Sequence, residues 1–236
     1  MADRKTFVLV HGAWHGGWCW RRVADLLEKQ GHKVFTPTLT GVCDRSHLLD
    51  AKTDLSTHIT DIANLITWER LGDLVLCGHS YGGFVVSGVA ERVGKAVASI
   101  VFLDAFLPKD GESMADLISP KPRETLMALI AQGAATMPPI PAASFQVNEK
   151  DRAWVDGLCT PQPLAALTQK ITLTGARERI AKKTYIRASA YPSPSFDAAA
   201  ERARSDPSWR HYALPCGHDV MVDMPERLAE ILLEVA

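Results

Sequence analysis

The sequence predicts an α/β fold, a doubly wound and mostly parallel sheet with helices on both faces. Two observations carry this. Short apolar runs closed by glycine or polar residues alternate with stretches whose apolar positions recur at helical spacing. That rhythm is interrupted only once, from about residue 107 to 182, where prolines break the chain into short pieces. The 236 residues are therefore read as a single domain spanning 1–236, with residues 108–182 forming a helical cap inserted within it.

Residues 7–10 (FVLV) are an apolar run cut off by His11 and Gly12, as in a strand buried on both faces of a parallel sheet. Between 18 and 30, Val23, Leu26 and Leu27 fall at helical spacing, and Gly31 supplies a left-handed stop. Residues 33–37 read as the next strand, and 38–54, polar and without period, as a loop near the site edge. Ser56 is the expected cap of a helix with the stripe Ile59, Ile62, Ala63 and Ile66. A buried strand is expected at 74–77, a helix at 83–93, and a strand at 99–103 ending in Asp104. Within the cap the spacing predicts helical pieces such as 124–131. Strands resume at 184–188 and 211–214, and a helix with Pro225 in its first turn closes the chain over 225–235.

The composition excludes several function classes. Hydrophobic residues make up 47%, and 26 basic against 27 acidic residues give a net charge of -1. The two signs are interspersed, so neither nucleic acid nor an anionic membrane is an expected partner. Apolar runs fall far short of the ~20 residues a membrane helix requires. The first ten residues lead straight into a strand without a signal segment, and the five cysteines are odd in number and widely spaced. Reduced thiols in a cytoplasmic protein, monomer or homodimer, are expected. No metal-ligand spacing, phosphate loop or nucleotide fingerprint is present, so no metal and no cofactor are expected.

The sharpest motif is Gly78-His79-Ser80-Tyr81-Gly82, a G-x-S-x-G pentapeptide set between a strand and a helix. A turn this tight strains the serine backbone and demands small residues two positions either side, which Gly78 and Gly82 provide. The helix behind Ser80 aims N–H groups and its positive end at a developing oxyanion. A serine hydroxyl is a weak nucleophile near neutral pH and needs a base. His218 lies just past the last predicted strand, where a loop can swing its imidazole over Ser80. Ser80 and His218 are the expected nucleophile and base; the other seven histidines lack that placement.

Residues 7–34 (FVLVHGAWHGGWCWRRVADLLEKQGHKV), with GHSYGG and GHDVM, closely resemble the plant methylesterase and hydroxynitrile lyase family of the α/β-hydrolase superfamily. The likeness is best at the two ends of the chain and thins through the cap. It implies the α/β-hydrolase fold, and it implies that an oxyanion hole is formed by the backbone N–H groups of Tyr81 and Ala13. Those relatives carry their catalytic aspartate after the strand matching 183–188, yet the corresponding residues 189–193 here hold no carboxylate. Asp104, at the end of the preceding core strand, is the expected acid, as in some lipases of the superfamily. Asp197 is the alternative acid. Asp219 follows the base too closely to turn back onto its ring.

The lyases of that family carry a threonine just after the histidine of the first strand and a lysine just after the catalytic histidine; here Gly12 and Asp219 stand there. Hydrolysis of a small-molecule ester is therefore expected, with the lyase reaction or a ligand receptor on the same fold as alternatives. Met114, Met127, Met137 and Trp154 in the cap read equally as lining for an apolar or aromatic acyl group and as cap packing. Trp14, Trp18 and Trp20 read as pocket lining or as anchors of the first helix, and His15 as a residue near the pocket.

Overall fold

The computed structural model describes residues 4–236. Eight strands form in chain order: β1 (Thr6–Val10), β2 (Lys33–Phe35), β3 (Leu74–His79), β4 (Val97–Leu103), β5 (Thr136–Met137), β6 (Gln162–Pro163), β7 (Lys182–Ala188) and β8 (Trp209–Leu214). Six of them make one parallel sheet in the order β2-β1-β3-β4-β7-β8. β5 and β6 pair antiparallel as a small separate ribbon. The central strands β1, β3 and β4 are almost wholly buried, whereas the edge strands β2 and β8 are only partly covered. This follows their sequences, which are continuously apolar in the centre and mixed at the edges.

The helices are α1 (Arg21–Lys29), α2 (Leu55–Trp68), α3 (Gly82–Val93), α4 (Met114–Leu117), α5 (Pro120–Ala131), α6 (Glu149–Leu158), α7 (Leu164–Thr168), α8 (Pro194–Arg204), α9 (Val220–Asp223) and α10 (Pro225–Glu234). α1 packs on α10, and α2 on α3. Right-handed crossovers that run in opposite directions across the sheet put these two pairs on opposite faces. Strand order reverses at β1 and β3. The loops leaving the carboxyl ends of those two strands therefore border the crevice where ligands bind in such sheets.

Several local expectations are corrected. α2 starts at Leu55 with Asp54, not Ser56, as its cap. Asp54 Oδ1 accepts from the Thr57 N–H at 2.8 Å, Thr57 reaches back to the cap, and the Ser56 N–H instead donates to Gln169 Oε1 at 2.7 Å. β2 stops at Phe35, two residues before Pro37, which has no N–H for the ladder. A 3-10 turn over Gly17–Trp20 precedes α1, and another over Cys43–Leu48 lies within the expected loop. α5 begins at Pro120 instead of residue 124, with both of its prolines in the first turn, where an N–H is dispensable. α8 was not expected at all; Ser193 caps it by accepting from the Phe196 N–H.

Candidate active site

Ser80 leaves β3 with φ of 54°, in the left-handed region disfavoured for a side-chain-bearing residue. The strain is held from both sides. The Ser80 N–H donates to Leu103 O at 3.2 Å, while Ser80 O accepts from the N–H groups of Gly83 and Phe106. A Cβ on Gly78 would lie 2.6 Å from Gly82 O, and one on Gly82 would lie 2.9 Å from the carbonyl oxygens of Val10 and His11. Only glycine permits this approach, and it presses the turn after β3 against the turn after β1.

That second turn is fixed by His11. The Leu39 N–H donates to its Nε2 at 3.0 Å, so the ring proton sits on Nδ1, which donates to Gly12 O at 2.8 Å. Burial, only partly offset by the Gly12 contact, pushes His11 down to about 3, and the ring is neutral. Its bond orients the Gly12–Ala13 peptide, whose N–H belongs to Ala13. Tyr81 is held through its hydroxyl, which donates to His58 Nδ1 at 2.9 Å, since His58 Nε2–H is engaged by Thr40 O. Among the described residues, the N–H groups of Ala13 and Tyr81 donate to no protein acceptor.

His218 is buried beside this pair of turns, anchored by its N–H to Phe145 O at 2.8 Å and by its carbonyl, which accepts from His79 Nε2 at 3.1 Å. Its ring stacks on Phe196 (5.2 Å, 12°) and Tyr191 (4.8 Å, 29°), with Phe145 and His79 also against it. Nδ1 of His218 bonds Asp104 Oδ2 at 2.6 Å, leaving Nε2 as the remaining ring nitrogen. Asp104 follows β4 with φ of 41° and is wholly buried. Its other oxygen, Oδ1, accepts from Arg187 Nη1 at 2.6 Å and from the Ala188 N–H at 3.0 Å. Asp197, the alternative acid, lies in the first turn of α8, and its carboxylate binds Arg187 Nε at 2.9 Å. The structure thus brings His218 and Asp104 into contact, and sets Asp197 behind a guanidinium.

Asp219 is engaged elsewhere. Its Oδ2 accepts from His15 Nε2 at 3.0 Å, while His15 Nδ1 faces Ala13 O at 2.8 Å. With acceptors at both nitrogens, His15 carries both protons. Burial works against that charge, but the Asp219 carboxylate overrides it and holds His15 well above the ordinary histidine value. Burial likewise opposes ionisation of Asp219, and the His15 cation outweighs it, so Asp219 stays well below the usual carboxylate range. His79, buried next to His218, is pushed well below the ordinary value and is neutral.

Ser80 and His218 both line one cavity of about 130 Å³. Trp14, Phe106, Tyr191 and Phe196 surround them at the sheet edge, and Met114, Ile118, Leu126, Met137 and Phe145 close the far side from the segment between β4 and β7. Of the residues expected from sequence to line it, Trp14, Met114 and Met137 do so. Met127 is half-exposed on α5, Trp154 packs on Trp18 and under Arg22, and Trp20 is in the core. Trp14 joins the two halves: its N–H donates to Gln162 Oε1 and its indole N–H to Met137 O, tying the β5–β6 ribbon to the turn after β1. Arg187, the His15–Asp219 pair and the aromatic surround of His218 were not expected. A cation near the end of a core strand adjacent to Asp104 was the available signal for the first.

Among the described residues, no group of three or more His, Cys, Asp or Glu is arranged to hold a metal, and no helix is long and apolar enough to cross a membrane.

A profile described as the alpha/beta hydrolase family matches residues 7–231. The carbendazim hydrolyzing esterase of Nocardioides sp. (strain SG-4G) is 44% identical over 237 residues, covering 96% of this chain and 98% of that protein. The putative chloroplastic methylesterase 11 of Arabidopsis thaliana is 26% identical over 99% of this chain, which spans 64% of its length. Among solved structures, an extracellular alpha/beta-hydrolase from a Paenibacillus species is similar with a TM-score of 0.86 and 25% identity, covering 98% of this chain and 99% of that one. It is described as sharing structural and functional homology with tobacco salicylic acid binding protein 2.

Proposed function

This chain belongs to the alpha/beta hydrolase family, and on that premise we propose that it is a serine esterase acting through an acyl-enzyme. Ester hydrolysis is the chemistry in the names of its esterase and methylesterase relatives. In this reading Ser80 is the nucleophile, His218 the general base and Asp104 the acid. The N–H groups of Tyr81 and Ala13 form the oxyanion hole.

One observation carries the reading most directly. His218 spends Nδ1 on a buried carboxylate while its ring borders the same cavity as Ser80. Asp104 fixes the tautomer with its lone pair on Nε2 and stabilises the imidazolium that forms. The imidazole takes the Ser80 proton and the alkoxide attacks the ester carbonyl. The tetrahedral oxyanion is met by two N–H groups that carry no other partner among the described residues, a contribution worth about 10²–10³ in rate per donor. His218 then protonates the leaving alcohol, and water activated by the same nitrogen releases the acid. Every group named in this mechanism belongs to one chain.

Residues 108–182 act as a cap whose inner face, carrying Met114, Leu126, Met137 and Phe145, shapes the acyl site. No Asp, Glu, Lys or Arg lines that cavity, so a neutral, apolar or aromatic ester is the fitting substrate class. The thiols of all five cysteines are free, which suits a reducing compartment such as the cytoplasm. The lyase reading is disfavoured at two positions. A Cβ on Gly12 would come within 2.8 Å of Ser80 Cβ, so a threonine there would have to displace Ser80, and the residue that stands where the lyases carry a lysine, Asp219, is a buried partner of His15 that does not line the cavity.

The test is a panel of neutral chromogenic esters assayed beside Ser80→Ala. Turnover by the wild type and its loss in the variant are expected; equal turnover by both would end the assignment.

A further inference from the structure

Behind Asp104 the charges continue in a line to the surface. Arg187, on β7, places Nη1 on Asp104 Oδ1 at 2.6 Å, and turns its Nε and Nη2 edge to Asp197 Oδ1 at 2.9 and 2.8 Å. Nη2 also donates to Tyr191 O at 2.6 Å. The Arg187 side chain is 7% exposed and Asp104 0%, whereas the Asp197 carboxylate is 65% exposed. One buried guanidinium therefore bridges a buried anion that touches His218 and an anion open to solvent.

We propose that Arg187 and Asp197 are positioning residues that set, through Asp104, the pH range over which His218 serves as base. The inference rests on the reading of Ser80, His218 and Asp104 given above. A cation on the far oxygen of Asp104 draws off part of the charge that stabilises the imidazolium, and Asp197 on the opposite edge of that cation returns part of it. The two act on the base with opposite sign.

The other groups around His218 leave this chain as the adjustable element. From β3 comes His79, kept neutral by burial and by His218 itself; from the loop after β7 comes Tyr191, its phenol pushed up by burial. Phe196 of α8 and Phe145 are apolar. On its own turn, burial raises Cys216 to about 12, and Asp219 is matched by His15. Ser80, which lines the same cavity, carries no charge.

The experiment is a proton NMR titration of the His218 ring, assigned by the resonance lost in His218→Gln, in wild type, Asp197→Asn and Arg187→Gln. Asp197→Asn should move the protonation midpoint down, and Arg187→Gln should move it up, each by about half a pH unit or more. Arg187→Lys, which keeps the charge, should remain near the wild type. Midpoints that stay in place, or that move in the same direction in the first two variants, overturn the proposal. If Arg187→Gln fails to fold, the exposed and isosteric Asp197→Asn decides alone. Ester turnover is measured on the same samples. Unmoved midpoints with Ser80-dependent turnover defeat this inference and spare the esterase reading, whereas turnover that survives Ser80→Ala defeats the esterase reading itself.

Discussion

Asp104 Oδ2 lies 2.6 Å from Nδ1 of His218, a residue 114 positions further along the chain. The contact exists because β4 and β7 are neighbours and the loop after β8 folds back over the sheet edge. An aspartate at the end of β4 is thereby brought onto the ring of a histidine in the loop after β8.

Asp104→Asn should lower kcat/KM for a neutral ester by about 10⁴-fold, because an amide no longer selects the tautomer or stabilises the imidazolium. Asp197→Asn should cost no more than about tenfold. Initial rates, with circular dichroism to verify folding, check both. A reversed order of the two losses would transfer the acid role to Asp197.

The His15–Asp219 pair should act on stability. Both side chains are buried, at 2% and 0% exposure. Removing one partner strands the other charge, so Asp219→Asn should destabilise by about 3–5 kcal/mol. His15→Gln with Asp219→Asn should recover part of that loss. The pH dependence follows from the two shifts. His15 is raised, so its share is fully present below the unfolded value near 6.5 and is lost as pH rises through the folded value. Asp219 is lowered, so its share is present above about 4 and lost as pH falls through its depressed value. Urea unfolding of wild type and Asp219→Asn should differ most between about pH 4 and 6.5; a gap independent of pH would contradict the ion pair.

Gly12→Thr imitates the lyase sequence at one position. Because the new Cβ would sit 2.8 Å from Ser80 Cβ, the nucleophile must move. Displacement by a fraction of an ångström to one ångström should cost about 10²-fold in ester hydrolysis, with no cyanohydrin cleavage gained. Cyanide release by the variant, followed colorimetrically, would show that the cavity tolerates the lyase arrangement after all.

The uncharged cavity predicts discrimination between substrates. An ester whose acyl group carries a carboxylate should be hydrolysed with kcat/KM about 10²-fold or more below its neutral counterpart, since no cation lines the cavity to receive it. Matched neutral and anionic aryl esters measure this, and equal rates would place the acyl group outside the cavity.

The parallel sheet was legible because its central strands are continuously apolar and each ends in a glycine or polar turn; Phe7, Leu76 and Phe102 are all wholly buried. Ser80 stood out because a strand, a G-x-S-x-G turn and a helix occur together, and His218 because it lies just past the last predicted strand. α8 was hidden because its buried face is one phenylalanine and the alanines 199, 200 and 203, too weak an apolar stripe to register. Arg187 was hidden for another reason: in a strand that reads Lys182–Ala188, a cation looks solvent-facing until the register sets Ile186 beside Leu103 and brings Arg187 onto Asp104. The match of His15 to Asp219 spans 204 residues and leaves no local trace. Long-range pairing of polar groups in the interior depends on which loops meet, and neither periodicity nor composition encodes that.

The most direct test is covalent labelling with a fluorophosphonate, an electrophile that reacts with a serine activated by a neighbouring base. Peptide mass spectrometry should find the adduct on Ser80 alone in the wild type, no adduct in Ser80→Ala, and labelling slowed by orders of magnitude in His218→Ala. An adduct on another residue, or an unchanged labelling rate without His218, would contradict the account.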